Sequence, residues 1–226
     1  MTDSTLRFGD SERAAADALT RWALLEDVAS IGDLTCRALV SPEEDAEVLV
    51  VSRQAGVVAG LPIGERVFKQ VDARVGWVAE VPDGSRVAPG EIVARAAGPV
   101  TGLLTGERTA LNFLTHLSGI ASLTSQFVEA VSGTRATILD TRKTLPGWRL
   151  LAKYAVRAGG GTNHRMGLYD GILIKDNHIA SWSRQVGNSS LAAAIGAAPT
   201  SSPGVSVEVE VDTLEQLRDV LGGIPD

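Results

Sequence analysis

The second half of the sequence alternates apolar runs of strand length with helical patterns, and this alternation restricts the fold more than any other feature. The runs ATILD, DGILIKD and VSVEVEVD are centred near residues 138, 173 and 208. They recur about every 35 residues, the length of a β-α-β step. The segments GWRLLAKYAVRAG, SSLAAAIGAA and TLEQLRDVLGG carry the helical patterns, the last with a capping box from Thr213 to Gln216. Continuous Val, Ile and Leu runs are typical of parallel strands buried on both faces, so the pattern predicts an α/β sheet or barrel.

The first half of the sequence has a different texture. Residues 12–27 have the pattern of an amphipathic helix, with Ser11 as its predicted N-cap. Val-rich pieces separated by Pro-Asp-Gly and Pro-Gly turns between residues 46 and 100 indicate β-hairpins. Leu111, Leu114 and Leu117 then form one stripe of a further helix. We expect a β-rich N-terminal domain followed by the α/β domain.

Composition excludes several classes of protein. The chain has 226 residues and a formal net charge of −6, which argues against a nucleic acid or an anionic membrane as partner. Its single cysteine, Cys36, excludes an intrachain disulfide framework and a cysteine-rich zinc site, and it favours a reducing, cytoplasmic setting. The sequence contains no run of about 18 apolar residues, so it predicts no membrane-spanning helix.

Polar and charged residues follow each of the three predicted strands. The first strand ends in Asp140-Thr141-Arg142-Lys143, the second in Lys175-Asp176-Asn177-His178, and the third carries Glu208, Glu210 and Asp212 on one face. Working residues of α/β barrels lie at these carboxyl ends. Arg142, Lys143, Arg165 and Lys175 in one cavity would repel one another unless a polyanion bound there. Arginine suits bidentate recognition of carboxylate or phosphate, and lysine serves as a point charge.

Other features of this region have a simpler interpretation. Seven cations and one acid, Asp170, lie between Arg142 and Lys175. Arg149, Lys153 and Arg157 are spaced by four residues, which is typical of a solvated helix face. The glycine run before Asn163 fits either close approach to a ligand or a tight turn. Glu210 is a candidate for a metal–phosphate complex or ribose hydroxyls, and His164 is either a supporting donor or structural.

At these residues the sequence resembles the quinolinate phosphoribosyltransferase family. The resemblance runs from about residue 26 to the end, and its most specific part is LDTRKTLPGWRLLAKYAVRAGGGTNHRMGLYDGILIKDNHI, where Leu145 and Trp148 replace an expected Thr and Leu. It implies a mixed α/β N-terminal sandwich domain, residues 1–108, followed by an incomplete, C-terminally truncated TIM-like α/β barrel, residues 109–226. It also implies a homodimer with active sites completed across the subunit boundary.

The resemblance further implies transfer of phosphoribosyl from phosphoribosyl pyrophosphate to quinolinate, with magnesium and loss of carbon dioxide. Arg142, His164 and Arg165 are then expected to hold the two ring carboxylates. Thr141, Lys143 and Lys175 are expected beside the carboxylates and phosphates, and Glu210 beside the ribose and magnesium, with no direct protein ligand to the metal. Lys143 and Glu210 are the expected catalytic residues. Arg108 is expected to reach the partner's site.

The region after residue 110 holds only about four units of an eight-unit barrel, so we expect this chain alone to turn over poorly. Two alternative functions stay open from the sequence. One is a related phosphoribosyltransferase that acts on another acid, such as nicotinate. The other is a non-catalytic anion-binding protein. A basic cluster that is only surface is the third possibility.

Overall fold

The computed structural model describes residues 6–187, 192–193, 195–196 and 204–222. The chain forms two compact units, Met1–His164 and Arg165–Asp226, each of which is described by itself below. Both units combine helices with strands, and the predicted α/β class is confirmed. None of the helices in the described ranges is long and apolar enough to cross a bilayer.

The first unit contains five helices and five strands within the described residues. The helices are α1 (Asp10–Val28), α2 (Leu34–Leu39), α3 (Leu61–Val71), α4 (Val100–Ala130) and α5 (Arg149–Ala158). The strands are β1 (Asp45–Val51), β2 (Gly56–Val57), β3 (Gly76–Ala79), β4 (Arg86–Val87) and β5 (Ile92–Pro99). An antiparallel sheet has the order β1-β5-β3, and β2 pairs with β4 separately. The predicted hairpin pattern therefore gives a sheet with β5 at its centre.

The core of this unit forms where α3 and α5 pack on the 31-residue helix α4. Phe113, Leu117, Ile63 and Leu151 are almost completely buried. Burying each such side chain contributes about 1.5–3 kcal/mol. Small residues of α4 let its neighbours approach closely, since a Cβ at Gly106 would lie 2.8 Å from the Phe68 ring. The core therefore depends on small residues as much as on large ones.

Two details of the N-terminal prediction were wrong. Ser11 is not the N-cap of α1, because the N-cap lies two residues earlier, at Gly9, whose N–H donates to Glu12 Oε2 at 3.1 Å. Helix α3 was not predicted, because its segment lies between two Val-rich pieces and was included in the hairpin region. Its amphipathic face, buried at Ile63 and Val67, is the signal that identifies it.

The second unit is a parallel strand pair with helices. It contains β6 (Ile172–Ile174), α6 (Asp176–Val186), β7 (Val207–Val209) and α7 (Leu214–Gly222), and β6 pairs in parallel with β7. Both strands are shorter than predicted, and α6 was not predicted. The capping box of α7 is confirmed, since Thr213 Oγ1 accepts from Gln216 N at 3.1 Å. The helix predicted over 189–198 lies largely outside the described residues.

The first predicted strand, residues 136–140, is reduced to one parallel bridge between Leu139 and Thr162. Helix α4 continues through residues 108 and 109, so it joins the two predicted domains without a break. The domain boundary itself stays a prediction.

A buried hydrogen bond of α5 gives a test of this packing. Tyr154 Oη donates to Asp83 Oδ2 at 2.7 Å, and the same carboxylate accepts from the N–H groups of Gly60 and Leu61. Burial raises the pKa of Asp83, while these three hydrogen bonds oppose the rise. Tyr154→Phe removes one of them, so the folded-state pKa of Asp83 should rise further.

We expect Tyr154→Phe to lower the free energy of unfolding by about 1–2 kcal/mol at pH 7, the cost of leaving a buried acceptor short of a donor. Because a raised folded-state pKa means that the folded protein binds the proton more tightly, stability falls as pH rises from the unfolded value of about 4. The loss should therefore be larger at pH 7 than at pH 4 in urea unfolding. Equal losses of stability at both pH values would contradict this prediction. As a control, Tyr169→Phe, at an exposed tyrosine, should leave the free energy of unfolding unchanged at pH 7 and at pH 4.

Candidate functional site

The segment Thr141–Thr144 is held at the end of a short parallel contact. Thr162 N donates to Ile138 O at 2.9 Å, and Asp140 N donates to Thr162 O at 3.2 Å. Beyond Asp140 the chain turns sharply, with Lys143 N donating to Thr141 Oγ1 at 3.1 Å and Thr144 N to Arg142 O at 3.0 Å. Three of the predicted site residues, Thr141, Arg142 and Lys143, therefore share one tight turn.

A buried cluster lies directly below this turn. Lys153 Nζ is hydrogen-bonded to Asp140 Oδ1 and donates to His164 O at 3.0 Å. Asn163 Nδ2 donates to Asp140 Oδ2 at 2.7 Å and to Lys153 O at 2.8 Å, and His164 N donates to Asp140 Oδ1 at 2.9 Å. The side chains of Lys153 and Asp140 are 1% and 8% exposed. Asp140, Lys153 and Asn163 are called the Asp140 cluster below.

This cluster corrects the interpretation of Arg149, Lys153 and Arg157 as a solvated face. Lys153 is buried in an ion pair. Arg157 is half-buried and pairs with Glu12 at 2.6 Å. Arg149 Nε donates to Thr144 Oγ1 at 3.3 Å. A four-residue spacing identifies a common helix side but not what covers it. Here the loops before and after α5 cover Lys153.

A cleft of about 290 Å³ opens beside the turn. Its walls come from α4, α5 and the turn, and its lining residues are His116, Ile120, Asp140, Thr141, Lys143, Thr144, Leu145, Trp148, Ala152, Lys153 and Val156. Trp148 stacks on Phe113 with ring centroids 4.9 Å apart, and His116 meets the Trp148 ring edge-on at 5.0 Å. The cleft is therefore apolar on the helix side and cationic at Lys143.

Cations of the first unit differ in whether they have an acidic partner. Among the described residues, neither Arg142 nor Lys143 forms an ion pair, and Arg142 Nε is shielded from solvent with no hydrogen-bond partner. Arg108 is exposed on α4 and likewise has no acidic partner in the described ranges; it is not a lining residue of the cleft. Positive charge at the turn is thus available for an external anion.

The glycine run fits close packing of the chain better than contact with a ligand. A Cβ at Gly159 would collide with Ala121 O and lie 2.7 Å from Thr124 Cβ, and one at Gly161 would lie 2.7 Å from Val156 Cγ1. Gly160 has φ +85°, a conformation that favours glycine. The run lets the chain leave α5 against α4 and return to Asn163 and His164.

In the second unit the predicted residues lie at the carboxyl ends of β6 and β7. Lys175 follows β6 and is paired with Glu210, which follows β7 on the adjacent parallel strand. Lys175 N also donates to His178 Nδ1 at 3.0 Å at the start of α6. Arg165 Nη1 donates to Gly171 O at 2.8 Å. The structure brings Lys175 and Glu210 together, as strand-end placement predicts.

Sequence reasoning missed His116, Trp148 and the role of Asp140. His116 lies on α4, more than twenty residues before the turn, and only the packing of α4 on α5 brings it to the cleft. For Asp140 a signal was present, because an acid two residues before Arg142 would pair with that cation unless another group neutralised it. Within the described residues, no group of three or more His, Cys, Asp or Glu side chains could hold a metal ion.

Two family models match the chain. The quinolinate phosphoribosyl transferase N-terminal domain matches residues 33–118, and the C-terminal domain of the same family matches residues 120–226.

Curated relatives and solved structures agree with the family models. The probable carboxylating nicotinate-nucleotide pyrophosphorylase of Bacillus subtilis is 44% identical over 197 residues, covering 87% of this chain and 66% of the relative. The Mycobacterium leprae carboxylating nicotinate-nucleotide pyrophosphorylase is 44% identical over 219 residues, covering 96% and 75%. The crystal structure of NadC from Streptococcus pyogenes is 42% identical with a TM-score of 0.85, covering 99% and 74%. This chain thus spans about two thirds to three quarters of these relatives.

Proposed function

Because this chain belongs to the quinolinate phosphoribosyltransferase family, we propose that it acts in the transfer of a phosphoribosyl group to quinolinate. The donor is phosphoribosyl pyrophosphate, and the products are nicotinate mononucleotide, pyrophosphate and carbon dioxide. The names of its relatives favour this function over the related phosphoribosyltransferases and the non-catalytic anion-binding protein considered above.

One observation carries the proposal: the turn 141–144 contains two cations, and the neighbouring carboxylate of Asp140 forms its ion pair with Lys153 and not with them. Asp140 is committed to Lys153, while Arg142 and Lys143 have no acidic partner among the described residues. A guanidinium and an ammonium so placed suit a dianion, since arginine binds carboxylates bidentately and lysine acts as a point charge. Quinolinate carries two adjacent carboxylates.

We assign the predicted residues to the two substrates as follows. In the first unit, Arg142 and His164 are assigned to the ring carboxylates, and Thr141 and Lys143 to carboxylate and phosphoribosyl phosphate oxygens, with Lys143 as the catalytic residue. In the second unit, Arg165 is assigned to a ring carboxylate and Lys175 to carboxylate and phosphate oxygens. Cleavage at the anomeric carbon develops positive charge on the sugar and negative charge on pyrophosphate, so cations at the phosphates stabilise the transition state. Decarboxylation then leaves a carbanion-like centre that the pyridinium ring stabilises and that takes up one proton, and no general base is required.

Magnesium belongs to the proposal as a partner of the substrate phosphates. Mg²⁺ is commonly bound by one or two carboxylates together with phosphates and water. Glu210 is exposed and is expected near the ion without binding it directly, so the described residues fit an ion held by the substrate pyrophosphate. Such an ion would neutralise the leaving pyrophosphate. Glu210 is also the proposed partner of the ribose hydroxyls.

A homodimer and a cytoplasmic setting complete the proposal. Arg108 is exposed on α4 without an acidic partner in the described ranges, and we propose that it binds quinolinate in the site of a partner subunit. Leu104, on the same helix one turn earlier, is 48% exposed, which suits burial against a second copy. The single cysteine, Cys36, fits a reducing compartment.

Calorimetry with quinolinate and with nicotinate tests the proposed function. Because the second carboxylate gains a charge-assisted hydrogen bond, we expect the chain to bind quinolinate at least about tenfold more tightly, a difference of roughly 1.4 kcal/mol. Equal affinity for both acids, or no binding of quinolinate, would contradict the function. Formation of nicotinate mononucleotide from quinolinate, phosphoribosyl pyrophosphate and Mg²⁺ measures turnover by this chain.

A further inference from the structure

We propose that Lys153 is a positioning residue of this site: it neutralises Asp140 inside the protein, and the Asp140 cluster fixes the turn that carries Arg142 and Lys143. The inference rests on the proposed function for its ligand, although the placement of the cluster does not depend on it. Lys153 was expected on a solvated face, and no substrate role was assigned to it or to Asp140 and Asn163.

The first argument is geometric. Asp140 is the last residue before the turn, and its two carboxylate oxygens together accept from Lys153 Nζ, Asn163 Nδ2 and His164 N. Lys153 Nζ also donates to His164 O at 3.0 Å. Asn163 donates to Lys153 O at 2.8 Å. The start of the turn, helix α5 and the backbone of His164 are therefore joined through three side chains, of which those of Lys153 and Asp140 are buried.

The second argument is electrostatic. Asp140 lies two and three residues before Arg142 and Lys143, and a carboxylate with no counter-charge of its own would be the nearest anion to both. It would then compete with the ligand for the same cations. With Lys153 bound, Asp140 is satisfied within the protein, and neither Arg142 nor Lys143 pairs with an acid in the described part of the chain.

The third argument concerns what Lys153 can reach. Its side chain is 1% exposed, and its ammonium group is hydrogen-bonded to Asp140 and to His164 O. It therefore acts through Asp140 rather than on the substrate. Desolvation makes a buried ion pair a poor source of net stability, so stability alone is a weak reason for its presence.

Two variants and a matched control test the inference. Lys153→Met removes the charge at similar length. The double variant Asp140→Asn with Lys153→Met also removes the carboxylate charge. Tyr154→Phe is the control, because it removes a different buried hydrogen bond of the same helix without touching the Asp140 cluster. Each protein is checked for folding by urea unfolding before the comparison.

Trypsin cleavage after Arg142 and Lys143, mapped by mass spectrometry, reports the order of the turn without any ligand. We compare Lys153→Met with Tyr154→Phe under conditions that give both proteins the same free energy of unfolding. We expect both cleavages to be about tenfold faster in Lys153→Met, which corresponds to a free energy of local opening lower by about 1.4 kcal/mol. Quinolinate affinity should fall at least about tenfold in Lys153→Met and recover in the double variant, because the competing carboxylate is then neutral.

A measurement on the unaltered chain does not depend on the folding of a variant. Under mild acetylation Lys143 should react and Lys153 should not, and quinolinate should protect Lys143 without altering Lys153. Lys153 reacting as fast as Lys143 would overturn the inference.

The results also separate the inference from the proposed function. If the unaltered chain binds quinolinate and Lys153→Met matches Tyr154→Phe in both cleavage and affinity, the inference is wrong and the function stands. If affinity falls in Lys153→Met and does not recover in the double variant, neutralisation of Asp140 is not the role of Lys153. If the unaltered chain does not bind quinolinate but Lys153→Met opens the turn, the function is wrong and the positioning role stands.

Discussion

Replacing Arg142 with alanine is expected to weaken quinolinate binding by a few hundred-fold, the equivalent of about 3–4 kcal/mol. The guanidinium is partly buried, its Nε has no hydrogen-bond partner within the described residues, and it has no acidic side chain to release. Loss of Arg142 therefore removes a charge-assisted contact without freeing a compensating group. Arg142→Lys should recover only part of the affinity, because an ammonium cannot bind a carboxylate bidentately.

Arg135→Ala is the matched control for this experiment. Arg135 is exposed seven residues before Arg142 and forms no ion pair with the described residues. It changes the net charge by the same amount, so a general electrostatic effect would appear in both variants. Comparable losses in the two variants would show that Arg142 is not a specific ligand. In calorimetry the loss at Arg142 should also be larger for quinolinate than for nicotinate.

Replacing Gly159 with alanine is expected to cause the largest loss of stability among the single changes considered, about 3 kcal/mol or more. The new Cβ would collide with the backbone oxygen of Ala121 and lie 2.7 Å from Thr124 Cβ. A backbone carbonyl cannot rotate away as a flexible side chain can. Helix α5 must therefore separate from α4, which disturbs Leu151 and Leu117 in the core.

Gly119→Ala provides the control on the partner helix. Gly119 lies within α4, and nothing approaches the position of its Cβ within 4 Å. Alanine is the better helix former, so this change should raise the free energy of unfolding by about 1 kcal/mol. Urea unfolding of the two variants should thus shift in opposite directions. A Gly159→Ala variant as stable as the original chain would show that α4 and α5 do not pack closely at Gly159.

Periodicity predicted the elements whose pattern was long and uninterrupted. The helix around Leu111–Leu117 and helix α7 with its capping box were found where expected, and strands β6 and β7 lie within their predicted runs but are shorter. Helix α3 was missed because Val-rich neighbours concealed its helical period. The first predicted strand forms only one bridge, because residues 136–140 have a single partner segment at Thr162 within the described residues.

The sequence predicted which charged residues belong to the candidate site, but it did not predict which groups these residues contact. The position of Thr141, Arg142 and Lys143 after an apolar run correctly placed them in one turn. Burial of Lys153 could not be inferred from its spacing with Arg149 and Arg157, because that spacing is the same for a solvated and a covered helix side. His116 reaches the cleft only through tertiary packing.

The unbroken course of α4 has a mechanical consequence. Arg108 and His116 are eight residues apart on this helix, which corresponds to about 12 Å along its axis and about 80° around it. The helix has no loop between them that could act as a hinge. If α4 tilts to accommodate a molecule beside His116, Arg108 must therefore move with it.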